Sequence, residues 1–210
     1  MSEILTPVPA RPFYINGVDS AQEPETIRKI PGNSAIWVGI FAELTEFAMF
    51  FVIYFFAKAH YPEQFDQGPL ALNTLAGTLN TAVLISSSYF VAKAMASIRD
   101  NRPKDCVRWL WGTVAAGAVY LVIKGIEYQW NAQHGIHSDT NYFYTVYYYM
   151  TFNHLLHVGW ASGSILWAIM RVKQGVYTVD SHSPLTAIAS YWHMIDLAWI
   201  IIFPMLYVLR

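Results

Sequence analysis

Five apolar stretches of about 20 residues or more dominate this chain, the length that the hydrocarbon core of a bilayer demands of a helix. They cover roughly residues 33–59, 70–98, 106–130, 142–170 and 185–209. The last is the most constraining. Its stretch Tyr191-Trp192-His193-Met194-Ile195-Asp196-Leu197-Ala198-Trp199 sets a histidine and an aspartate three residues apart, and the apolar run continues through Ile200 to Phe203. An acid at that depth is costly, so it needs a partner or a purpose. The expected fold class is therefore all-α: an integral membrane bundle of five transmembrane helices over residues 33–210. A polar extramembrane arm, residues 1–32, precedes it.

Composition agrees. The 210 residues are 55% hydrophobic and only 13% charged, against roughly 25% charged in ordinary soluble domains. A net charge of −1 supplies no basic patch for a nucleic acid partner. One cysteine, Cys106, excludes an intrachain disulfide or a multi-cysteine metal site. The arm has no apolar signal-peptide core, and Pro7, Pro9, Pro12, Pro24 and Pro31 interrupt it.

Lysine and arginine orient the bundle. Arg11, Arg28, Lys29, Lys93, Arg99, Arg102, Lys104, Arg108, Arg171 and Lys173 fall on one side of a five-span arrangement; only Lys58 and Arg210 fall on the other. Positive charge stays cytoplasmic, so the N-terminus is expected in the cytoplasm and the C-terminus outside. Trp109, Trp111, Tyr128, Trp130 and the run Tyr142–Tyr149 are expected at the membrane interfaces. Gly159 and Gly163 form a small-xxx-small motif that permits close helix approach. The small and hydroxyl residues of the second span, Ala76 to Ser88, suit a helix packed on most sides. No internal repeat is visible, and an odd number of spans argues against an inverted-repeat transporter.

The buried ionisable residues pose the functional question. Glu43 and Glu46 share one face of the first span, where two carboxylates in a low dielectric resist being charged together. Lys124 and Glu127 have the same spacing in the third span, as a self-neutralising pair near its outer end would. The fourth span holds Asn153, His154 and His157, and the fifth holds His193 and Asp196. Comparable depth allows one cluster joining the first, fourth and fifth spans. The spacing leaves three uses open for the histidines: hydrogen bonds between helices, haem ligation, or a metal reached by His154 and His157 pointing the same way. The Glu-x-x-His and His-Glu-x-x-His patterns are absent, as are phosphate loops and nucleophile elbows. No catalytic residue and no metal site is assigned.

At these residues the sequence resembles subunit III of the haem-copper respiratory oxidases, the cytochrome c oxidase subunit III family, over about residues 33–210. The resemblance rests on Ala42-Glu43-Leu44 with Phe50-Phe51, on Leu79-Asn80-Thr81 through Ser86-Ser87, on Glu127-Tyr128 followed by His154-Leu155-Leu156-His157-Val158, and on Tyr191 to Asp196 with Trp199. It implies a non-catalytic, multi-pass subunit in the cell inner (plasma) membrane. Such a subunit binds no redox cofactor of its own. It packs against the catalytic subunit I, which carries haem and copper, and other respiratory-chain subunits. It also binds structural phospholipid and supports proton uptake and complex stability in aerobic electron transport. Glu43 matches the family's membrane carboxylate. Glu46, Glu127, His154, His157, His193 and Asp196 form the proton-related or polar interior.

The chain is similar to the five-helix form, which lacks the first two helices of longer members. Glu46 stands where the family commonly has an apolar residue, and Asn153 and Leu155 flank His154 where glycines are common. These departures, with Phe203-Pro204-Met205-Leu206-Tyr207, resemble the branch associated with nitric oxide reductases. An accessory subunit of such a reductase is thus the alternative, and a proton-coupled transporter using Glu43 and Asp196 is a second.

Overall fold

The computed structural model describes residues 34–209, so the arm at residues 1–32 lies outside the described residues. Every regular element in the described residues is an α-helix: α1 (Ser34–His60), α2 (Pro62–Ala71), α3 (Thr74–Arg99), α4 (Pro103–Gln133), α5 (Tyr142–Lys173) and α6 (Ser183–Tyr207). All but α2 are long and apolar enough to cross a membrane.

The helix ends follow local chemistry. Pro62 opens α2 and Pro103 opens α4, at positions whose amides need no helical partner. The Asn73 and Asn141 side chains cap α3 and α5, accepting from the amides of Ala76 at 3.1 Å and Tyr144 at 2.9 Å. The turn between α3 and α4 places Asn101 at φ 56°, a left-handed conformation that asparagine tolerates. Gly135 and Gly175, at φ 71° and 73°, take that conformation just beyond α4 and α5.

Helix α2 occupies most of the segment that the sequence reading leaves between the first span and the second, residues 60–69. Its polar composition and internal Pro69 hid it. Phe65 is buried against Tyr54 and Phe143, and the Gln64 side chain accepts from the Tyr142 amide, so packing fixes what propensity does not.

Helices α3, α4, α5 and α6 close into a ring: α3 packs on α4, α4 on α5, α5 on α6, and α6 back on α3. Trp192, Trp199, Tyr120 and Leu84 fill the middle. Trp192 donates to Ser87 Oγ and Trp199 to Thr81 Oγ1, both at 2.9 Å, tying α6 to α3. Helix α3 is covered on two sides, while Leu75, Leu79, Ile85 and Tyr89 stay exposed. Two sides is less than its small residues suggested.

Helix α1 lies outside the ring against α5 and α6. Ile40, Phe47 and Tyr54 alone are its fully buried large residues, spaced seven apart along one narrow seam. Tyr54 closes that seam by donating to the Met205 carbonyl at 2.5 Å.

The glycine motif of α5 does something other than expected. Among the described residues, a side chain built on Gly159 or Gly163 would meet nothing within 4 Å, so no described helix approaches there. Both line an apolar groove of about 600 Å³ with Ile36, Trp160, Trp167 and Ile188. Close approach occurs instead at Gly117 in α4, where a Cβ would sit 2.7 Å from Ser162 Oγ and 3.2 Å from the Trp192 ring.

Candidate functional site

The polar residues inside the spans separate into four settings. They do not meet in one cluster.

The first setting lies between α1 and α5. Glu43 and Glu46 both face α5, where the carboxylate of Glu43 contacts His157 Nε2 and the Asn153 amide donates to Glu46. The Glu43 and His157 side chains are 28% and 13% exposed, because α1 covers α5 only along its narrow seam. His157 Nδ1 lies 2.8 Å from the Asn153 carbonyl. A groove of about 570 Å³ leads to the pair, past Tyr191, Gly159 and Trp160.

The second setting is sealed among α4, α5 and α6. Lys124 Nζ donates to Glu127 Oε2 at 3.0 Å and to the Tyr207 hydroxyl at 2.6 Å. The hydroxyls of Tyr207 and Tyr147 both donate to Glu127 Oε1. Four rings, of Tyr128, Tyr147, Trp199 and Tyr207, stand 5.0–5.6 Å from the ammonium, within cation–π reach. The lysine and glutamate side chains are 0% exposed. Sequence spacing pointed to the ion pair but not to Tyr147, Tyr207 or Asn131, which stand 16 to 83 residues from the groups they bond. Tyr147 of the tyrosine run is buried inside the bundle, while Tyr142 and Tyr149 are exposed.

The third setting is His154. It accepts at Nδ1 from the Tyr120 hydroxyl at 2.9 Å and donates from Nε2 to the Ile195 carbonyl at 3.1 Å. The carbonyl can only accept, which fixes this assignment. Both nitrogens are engaged. His154 and His157 are separated by about 60° around the helix, and α5 sits between two neighbours. One imidazole therefore enters the ring and the other faces α1, so the common direction expected of this pair does not hold.

The fourth setting is the α3–α6 seam. His193 is exposed, not interior, with Nδ1 2.7 Å from Ser88 Oγ. Asp196 is 4% exposed and faces Ser88 and Trp192, yet neither carboxylate oxygen makes a well-formed hydrogen bond among the described residues. Asn80 on α3 is equally buried, and neither of its amide atoms is bonded. The single cluster that comparable depth allows among Glu43, His154, His157, His193 and Asp196 therefore does not form. The α6 face carrying His193 and Asp196 turns toward α3, while Glu43 and His157 meet across the α1–α5 contact.

Comparison with known proteins places this arrangement. The family model described as "Cytochrome c oxidase subunit III" matches residues 31–209. The chain belongs to the cytochrome c oxidase subunit III family. The match takes in all five long helices and each polar setting described above. "Cytochrome c oxidase subunit 3" of Synechocystis sp. is 32% identical over 80% of this chain and 71% of its own length. The protein of the same name from Thermostichus vulcanus is 31% identical over 91% of this chain and 92% of its own. A "Heme-copper oxidase subunit I+III" from Aeropyrum pernix is 24% identical over 83% of this chain but only 22% of its own length. This chain is accordingly a multi-pass membrane subunit III of the haem-copper oxidase class, part of a complex with other subunits. The nitric oxide reductase and transporter alternatives gain no support from these names.

Proposed function

We propose that this subunit binds no redox cofactor itself, packs against the haem- and copper-bearing catalytic subunit I, and sustains proton uptake by that neighbour. The carrying observation is the Glu43–His157 contact at the end of an accessible groove. A carboxyl and an imidazole in direct contact hand a proton between them without crossing a charged gap. Glu46 and Asn153 supply the adjoining acceptor and donor. This site has a route to its surroundings, unlike the sealed Lys124–Glu127 pair.

Other features support the same reading. The Aeropyrum protein's name joins subunits I and III in one polypeptide, as partners held side by side would permit. The groove along Gly159 and Gly163 has the apolar lining and volume for a phospholipid acyl chain. The ten-to-two division of cations supports a cytoplasmic N-terminal arm on a bundle in the cell inner membrane. His154 has no nitrogen left to ligate haem.

The test is Glu43→Gln in the assembled complex. The complex should purify with its full subunit set and start at normal turnover, then lose activity sooner during sustained catalysis. Wild-type turnover and lifetime in that variant would remove the proton role.

A further inference from the structure

We infer that Glu43, Glu46 and His157 form a binding site for a divalent first-row transition ion, held between α1 and α5. One ligand atom from each of the three lies within 4.8 Å of the others. In a tetrahedral shell with bonds of about 2.1 Å the ligand atoms stand about 3.4 Å apart, so side-chain shifts of about 1 Å close the shell.

The histidine is already set for the task. Its Nδ1 faces the Asn153 carbonyl, which can only accept, so Nδ1 carries the hydrogen. Whenever Nε2 carries no hydrogen, its lone pair faces the Glu43 carboxylate. Two acceptors facing each other need a proton or a cation between them. A ligating histidine characteristically donates its other nitrogen to a backbone carbonyl or carboxylate.

Charge decides between the two occupants. Among the described residues, no lysine or arginine pairs with Glu43 or Glu46. One proton leaves the pocket negative within an apolar span, where uncompensated charge is expensive. A divalent ion neutralises both carboxylates. Mixed oxygen and imidazole donors suit zinc or its first-row neighbours. Asn153, whose Nδ2 donates to Glu46, keeps a buried Oδ1 without a partner among the described residues. The groove past Tyr191 and Gly159 gives the ion a way in. The sequence carries no compact metal motif because the ligands come from two helices, with His157 lying 114 residues from Glu43.

This site goes beyond the proton reading, since a bound ion displaces the proton from the Glu43–His157 contact, and its test does not rely on turnover. The intact complex, purified in mild detergent, is loaded with Zn2+, exchanged against a weak chelator, and assayed for metal by mass spectrometry. The wild type should retain a stoichiometric zinc ion that Glu46→Gln lacks. Titration should show Glu46→Gln weaker by at least roughly 100-fold, the upper range for loss of a mere outer-shell partner. Zinc X-ray absorption of the loaded wild type should show one imidazole among oxygens at about 2.0–2.2 Å. Equal retention by wild type and Glu46→Gln overturns the inference, as does retention by neither. Should the variant fail to assemble, the absorption spectrum decides alone: a shell without imidazole, or one with sulfur, overturns it.

Discussion

The two faces of α5 use similar residues to opposite ends. On the inner face, Lys124, Glu127, Tyr147 and Tyr207 form a sealed cluster in which each charge has its counter-charge and each oxygen a donor. On the outer face, Glu43, Glu46, Asn153 and His157 sit half-covered, with two acids, no cation and a groove at the door. A buried ionic group survives in oil when its hydrogen bonds are complete, and then it braces helices. One left unbalanced and reachable has something to bind or release. Burial, charge balance and access together separate scaffold from site, where residue type alone does not.

The largest test of that contrast is Lys124→Met. It leaves the Glu127 carboxylate buried with two tyrosine donors and no cation. Removing one partner of a buried pair costs about 3–5 kcal/mol, so the thermal midpoint of the solubilised complex should drop well below that of Glu43→Gln. The double variant Lys124→Met/Glu127→Leu should recover much of the loss, since the orphaned charge goes with it. Equal stability of Lys124→Met and wild type would show that the inner cluster is not the brace described here.

The spans and their order were legible because length and hydropathy are local properties, and a bilayer admits few alternatives to helices. Glu43 with Glu46 and Lys124 with Glu127 were legible too, since i,i+3 residues can share a face, although His154 and His157 at the same spacing part toward different neighbours. What stayed hidden depended on which helix faces which. His193 lies at the exposed edge of the α3–α6 seam, bonded to Ser88, and Asp196, three residues on, is buried within it. No spacing rule distinguishes those two without the neighbours. Tyr207 belongs to a segment that suggested only a family branch, yet it completes the inner cluster. Helix α2 needed Phe143 to bury its one aromatic anchor, Phe65.

A middle-sized effect separates close packing from open groove. Gly117→Val places carbon against Ser162 and Trp192, both fixed by hydrogen bonds to Val158 and Ser87. Overpacking of this kind costs about 1–3 kcal/mol. Thermal unfolding should register the loss while subunit composition holds. An unchanged midpoint would mean that α4 and α5 can part there without penalty.

The smallest effect is expected on the outer face, and its sign matters more than its size. Gly159→Ala adds a methyl where nothing lies within 4 Å, and alanine favours helix over glycine by about 1 kcal/mol. The midpoint should therefore hold or rise, unlike that of Gly117→Val. Gly159 also lines the approach to Glu43 and His157 as well as the apolar groove. A bulkier Gly159→Leu should leave stability near wild type yet reduce the phospholipid phosphorus retained per complex and slow zinc loading at the Glu43 site. Loss of stability in Gly159→Ala would place an unseen neighbour against this glycine, and the outer face of α5 would then be as closed as the inner one.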